Sequence, residues 1–257
     1  MKNQYESILG TDIWKYNKAV KDKSVGQEAI ESVLRQIIQV KVIGKEAAIE
    51  KVQLETDEKE EADYRAKTVF DSISAKDKQT QGIELKVLSK IFEENKLAQK
   101  MYNVQMGKLK IDYAANTLSA AKVELIYQAA NAKNKETVKN TMSQILSEVT
   151  SSQNSFYTVA KNKTQADAIE YVIGNQDSRT NLAKAVVSLK KNQTSALIEE
   201  KDGFYIAHCI QTNSAALQQQ YRNQLVSEKQ TESFQKTYKT WSDKFDVKVS
   251  KALLAAN

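Results

Sequence analysis

The chain has 257 residues, 41% hydrophobic and 27% charged, a globular composition with material for one large core or two ordinary ones. The net charge of +6 is mild and spread along the chain, without the basic stripe and interleaved aromatics of a nucleic-acid binder, so no nucleic-acid partner is expected. A single cysteine, Cys209, rules out an intrachain disulfide, and with His208 as the one histidine neither a zinc site of the usual kind nor a cofactor site is expected.

No apolar run reaches the ~18 residues that would span a bilayer. The opening Met1-Lys2-Asn3-Gln4-Tyr5 is polar and has no signal-peptide core, so the expectation is either a cytosolic protein or one whose targeting segment is missing from this sequence. The charge excess favours weak attraction to anionic lipid headgroups or cell-wall polymers. There is no proline, so the chain's own folding has no prolyl isomerisation step to wait for.

In chain order, Ile13-Trp14 reads as a short strand or hook. Ser24-Val25-Gly26-Gln27 fits a capping box, and Ile30, Val33, Leu34, Ile37 and Ile38 follow helical spacing to about residue 47. Leu54 to Glu58 opens a second helix, with acids in its first turn where the helix dipole favours them. Its expected apolar face is Ala62, Tyr64, Ala66, Val69, Phe70 and Ile73. Ser74 to Asp77 reads as a cap and turn, and Ile83 to Met106 as a third long helix. The acids of residues 55–61 lack the glycine and spacing of a calcium loop and read as a solvated helix start.

From Lys122 the period changes. Val123 to Tyr127 predicts a strand, residues 135–149 a helix, and Phe156 to Ala160 a short helix. Ile169 to Gly174 predicts a second strand, and Leu182 to Leu189 one helix face. Ser195–Glu200 and Phe204–Ile210 read as strands of a hairpin turning at Asp202-Gly203. From Ser214 a helix runs to about Phe245. Its stripes are Leu217, Tyr221, Leu225, and then Phe234, Tyr238, Trp241, Phe245. Bulky aromatics on one face need a partner, and the helices of Ile30–Ile38 and Ile83–Phe92 offer one. The aromatic stripe therefore reads as core. His208 and Cys209 are neighbours on a strand and point to opposite faces, which excludes a joint metal site or dyad.

These segments resemble a known family. Asn3-Gln4-Tyr5-Glu6-Ser7 through Gly10-Thr11-Asp12-Ile13-Trp14, the Gln36-Ile37-Ile38-Gln39-Val40-Lys41 stretch, and Gly203-Phe204-Tyr205-Ile206-Ala207-His208-Cys209-Ile210 are similar to SurA/PrsA-type extracytoplasmic foldases of the Gram-positive branch. The last stretch is similar to their final strand, usually Gly-Tyr-His-Ile-Ile. The resemblance implies an α+β protein. Residues 1–118 and 214–257 form a discontinuous helical chaperone domain. Residues 119–213 are inserted as a parvulin-like domain of antiparallel sheet and helices.

The family's isomerase site has a histidine on its first strand, another on its last, and a Met and a Phe that wall the proline pocket. By resemblance those positions fall at Leu125, Tyr205, Ser178 and Leu182. A leucine supplies neither donor nor acceptor to a twisting amide. The implied function is a chaperone for unfolded secreted polypeptides with a degenerate, inactive parvulin domain. The alternatives are an active parvulin-type peptidyl-prolyl isomerase with an altered site, and an envelope interaction module. Tyr102, Met106, Tyr113 and Tyr127 are the candidate client-binding residues, with domain packing as the plainer role. The resemblance also implies an extracytoplasmic, lipoprotein-anchored location, and leaves room for a homodimer through the helical domain.

Overall fold

A computed structural model describes residues 25–114, 117–151 and 155–248. The readings for Ile13-Trp14 and Ser24 lie outside the described residues. The architecture is α+β, helices with one small antiparallel sheet. The described residues divide into two compact units, 25–110 with 230–248, and those within 111–229.

The first unit is helical. Helix α1 spans Val25–Ile49, α2 Thr56–Ser72, α3 Ala75–Thr80 and α4 Leu85–Gly107. Helix α1 ends where Lys51 takes a left-handed conformation (φ 58°) and the Val52 N–H donates to the Ala47 carbonyl at 2.8 Å, closing the last turn. Helix α2 starts at Glu55, whose N–H donates to the Glu58 carboxylate at 2.8 Å. Where a cap and turn were expected at residues 74–77, Ser74 Oγ accepts from the Asp77 N–H and starts the six-residue α3.

The core of this unit is small. Val42, Ile43, Ala47, Met101 and Trp241 are buried, packed by Ile38, Leu97, Ala98, Phe234, Tyr238 and Phe245. The aromatic stripe of the C-terminal helix is thus core, but it covers Ile38–Ala47 and Leu97–Met101 rather than the Ile30–Ile38 and Ile83–Phe92 faces. Val33, Ile37, Val87 and Ile91 remain exposed. Helix α2 also departs from expectation. Tyr64 is 72% exposed and Val69 is exposed, and only Ala62 and Ala66 are buried. The side of α2 that meets a neighbour is the side of its small residues.

The second unit holds the sheet. Strands β1 (Ala120–Ala129), β2 (Glu170–Gly174), β3 (Ile198–Glu200) and β4 (Gly203–Gln211) lie in the order β2-β1-β4-β3, all antiparallel. Helices α5 (Lys135–Ser151), α6 (Phe156–Lys163) and α7 (Thr180–Ser188) connect them. Alternation along β1 and β4 makes two apolar faces. One joins Val123, Leu125, Ala207 and Cys209 to Leu182 and Val186 of α7. The other joins Ile126, Phe204 and Ile206 to Met142 and Ile145 of α5 and to Phe156, Val159 and Ala160 of α6.

Strand β3 is shorter than the expected 195–200. Before it the pairing with β4 is irregular: Asn192 is left-handed (φ 64°), and Ser195 both donates through N–H to Ala207 and accepts from it at Oγ. Gly203 opens β4 with φ 155°, and a Cβ there would stand 2.1 Å from the Gln128 carbonyl oxygen, so glycine alone fits. Helix α8 (Ala215–Ser242) contributes to both units. Its Leu217, Tyr221 and Leu225 are buried, and the last two pack with Leu118, Ala120, Tyr113 and Val172 in the sheet-containing unit.

Candidate functional site

Three of the four residues that the sequence resemblance singles out meet on one face of the sheet. Strand β1 places Leu125 opposite Ala207 of β4, and Tyr127 opposite Tyr205. Leu125, Tyr205 and Leu182 belong to one buried cluster, with exposures of 1%, 3% and 0%. Ser178 is exposed on the loop that leads into α7.

The polar groups around this floor are tied to one another. The Tyr205 hydroxyl donates to Asp202 Oδ2 at 2.6 Å, and the Tyr127 hydroxyl donates to the Asp202 carbonyl at 3.0 Å. The two rings stack with centroids 4.6 Å apart. The Arg179 guanidinium lies 5.6 Å from the Tyr205 ring centroid and forks onto Asp177, Nε to Oδ1 at 2.9 Å and Nη2 to Oδ2 at 2.7 Å. Burial first, and the hydrogen bond to Asp202 second, push the Tyr205 hydroxyl pKa well above its ordinary value. Burial and Asp202 raise that of Tyr127 as well. The Asp177 fork raises that of Arg179. These shifts keep the Tyr127 and Tyr205 hydroxyls neutral and the Arg179 guanidinium charged at neutral pH.

His208 lies on the opposite face. Its ring stacks on Phe156 at 5.3 Å and Nδ1 hydrogen-bonds Thr194 Oγ1 at 2.9 Å, and burial lowers its pKa. Cys209 is buried among the residues around Leu125, where burial raises its pKa. The sequence did not single out Asp177 and Arg179. Their signal, an Asp and an Arg two apart before a helix, has meaning only once the loop turns them together. Asp202 was visible only as a turn residue.

The candidate client-binding residues fall in different units. Tyr102 stands edge-on to Phe234 at 4.8 Å, and Met106 is 8% exposed, both in the helical unit. Tyr113 and Tyr127 belong to the other. Tyr113 is half-buried beside Tyr221, and its carbonyl accepts from Arg222 Nε at 3.0 Å. Two shallow pockets are found in the sheet-containing unit. The smaller, about 290 Å³, lies between Asn175–Asp177 and Thr180–Val187. The larger, about 630 Å³, is lined by Asn131, Lys135, Asn181 and Glu199–Lys201. Neither is lined by Leu125 or Tyr205.

Residues 121–211 match the Rotamase family, the PPIC-type peptidyl-prolyl isomerase domain. This segment is similar to parvulin-type domains. The parvulin-type match covers the whole four-stranded sheet and the helices α5 to α7. A solved PpiC-type isomerase domain is 20% identical, covering 39% of this chain and 98% of its own, at a TM-score of 0.34. The peptidylprolyl isomerase PrsA of Bacillus anthracis is 15% identical over 85% of this chain and 99% of its own, TM-score 0.45. A SurA-like chaperone of Campylobacter jejuni is 12% identical over 93% of this chain and 94% of its own, TM-score 0.32. No curated protein sequence matches the chain at a significant level.

Proposed function

We propose that the protein is an extracytoplasmic folding chaperone of the SurA/PrsA type whose parvulin-type domain no longer isomerises prolyl bonds. The observation that carries the reading is the burial of Leu125, Leu182 and Tyr205 in one core at the positions where the family's resemblance puts catalytic and pocket residues. The prolyl barrier is about 18–20 kcal/mol, and lowering it needs a site that accepts the ring and preorganised polar groups around the amide. Here the floor is packed apolar side chain, and the hydroxyls at its rim are engaged with Asp202.

Binding of unfolded secreted polypeptides, with Tyr102, Met106, Tyr113 and Tyr127 among the contact residues, belongs to the same proposal. So do weak attraction to anionic envelope surfaces, a lipoprotein anchor, and a homodimer through the helical domain. The domain plan of residues 1–118 with 214–257, and 119–213 between them, goes with it. Among the described residues no helix is long and apolar enough to cross a membrane.

Two assays on the full chain test it. Proline-limited refolding of a model substrate should proceed at the uncatalysed rate, while aggregation of an unfolded client should be suppressed. Catalysis at the level of an ordinary parvulin would favour the altered-isomerase reading. Failure of both assays would leave the interaction-module reading.

A further inference from the structure

Helix α2 is joined to α4 in an unusual way. Seventeen residues long, it buries only Ala62 and Ala66. The rest of its attachment is the half-buried Phe70 and a set of ion pairs. Lys96 of α4 binds Glu61, and Lys100 binds Glu58 at 2.6 Å and Glu55 at 3.6 Å. The composition is complementary. Helix α2 carries six carboxylates against three basic residues. Helix α4 carries four lysines against two glutamates, and one of these, Glu94, is already paired with Lys41 of α1 at 2.5 Å.

Further pairs lie within the arm, and α3 meets it at an aromatic ring. Arg65 also binds Glu61, Lys67 binds Asp71, and Lys78 of α3 lies 4.2 Å from the centre of the Phe70 ring. The pairs Glu61–Lys96 and Glu58–Lys100 run antiparallel along the two helices, and continuing that register brings Ala66 toward Phe92 and Phe70 toward Leu88. Phe92 and Leu88 are half-buried, and their neighbours Val87 and Ile91 on α4 are already exposed.

We propose that α2 is an ionically latched cover over α4, which lifts at high salt or in acid while the core around Met101 and Trp241 stays closed, baring Leu88 and Phe92. The two sides of α4 are held by different forces. Toward α1 and the C-terminal helix it offers Leu97, Ala98 and Met101 to an aromatic cluster. Toward α2 it offers lysine heads and the half-buried Leu88 and Phe92, against only Ala62, Ala66 and Phe70. Hydrogen bonds from Lys100 and Lys96 hold Glu58 and Glu61 below the usual carboxylate range. A carboxylate so depressed stabilises the closed arm above that range and releases it as pH falls through it. Salt acts on the same pairs by screening, with a Debye length of about 3 Å at 1 M. The inference is independent of whether the chain is a chaperone.

Hydrogen exchange of the full chain, followed by peptide, tests it. At neutral pH, raising sodium chloride to about 1 M should speed exchange of residues 56–72 by about tenfold, the effect of weakening two half-buried pairs, with residues 97–107 unchanged. Lys96→Met with Lys100→Met should give the same acceleration at low salt and remove the salt response. Exchanging the pair that carries no helix cap, Glu61→Lys with Lys96→Glu, should leave 56–72 protected. Loss of protection in 56–72 and 97–107 together, no response to salt or to the lysine variant, or an unprotected arm in the exchanged pair would each overturn the proposal.

Discussion

The two units reach stability by different routes. In the sheet-containing unit, four strands bury side chains on both faces, and the largest buried groups include Phe204, Leu125, Ile126, Met142 and Ile206. In the helical unit, three long helices share a core of five buried residues, and a charge as costly to bury as Glu46 (2% exposed) sits beside it, paired with Lys244 at 3.1 Å. The sheet closes its own backbone hydrogen bonds and can then be packed from two sides. Helices close theirs internally, so they can rest against each other through lysine and glutamate at little cost to the backbone. The lesson is that equal size does not mean equal cooperativity. One unit should respond to volume changes, the other to charge.

The sharpest way to break this contrast is in the sheet. Phe204→Ala should cost about 3–5 kcal/mol, read as a lowered urea midpoint for the sheet-containing unit. A cost no larger than a surface substitution would mean that this core can collapse around the gap. Next is the buried charge of the helical unit. Lys244→Ala leaves the Glu46 carboxylate without its cation and should cost about 1–3 kcal/mol, seen by thermal unfolding. If Glu46→Leu with Lys244→Ala recovers the loss, the pair fixes geometry rather than adding stability.

Tyr205→Phe comes third. It removes one hydroxyl from Asp202 and keeps the ring on Tyr127, for about 1 kcal/mol by denaturant titration. A larger loss would show that the Asp202 contact organises the whole hairpin turn. The smallest effect is at Glu124. Burial first, and then Glu170, raise its carboxyl pKa. A raised carboxyl favours the fold below its unfolded pKa and loses that contribution as pH rises through the folded one. Glu124→Gln should therefore raise the melting temperature slightly at neutral pH, by a few tenths of a kcal/mol, and do nothing in acid. The reverse pH dependence would mean that Glu124 finds a cation instead.

The sequence made the sheet legible because its signals are local. Alternation along Val123–Tyr127, the Asp202-Gly203 turn and the opposite faces of His208 and Cys209 follow from a period of two. The helical unit was less legible because a periodic apolar residue says what a helix can bury, not what it meets. Val33, Ile37, Tyr64 and Val69 have the right spacing and remain exposed. Of the arm's attachment, Ala62 and Ala66 stood on the expected apolar face, whereas Glu58 and Glu61 read as part of a solvated helix start. Helix α3 has no apolar stripe and is announced only by Ser74 and Asp77. At the candidate site, sequence reached Leu125, Leu182 and Tyr205, whereas the Asp177–Arg179 fork exists only in the folded loop.

Cys209, fully buried in the sheet and the chain's one thiol, has a further use. A thiol-directed reagent can reach it only when β4 leaves its neighbours. The rate of modification, compared with that of the unfolded chain, then reads the opening equilibrium of this unit alone, in native buffer and without any introduced label. The molecule therefore carries its own gauge for one half, against which events in the other half can be timed.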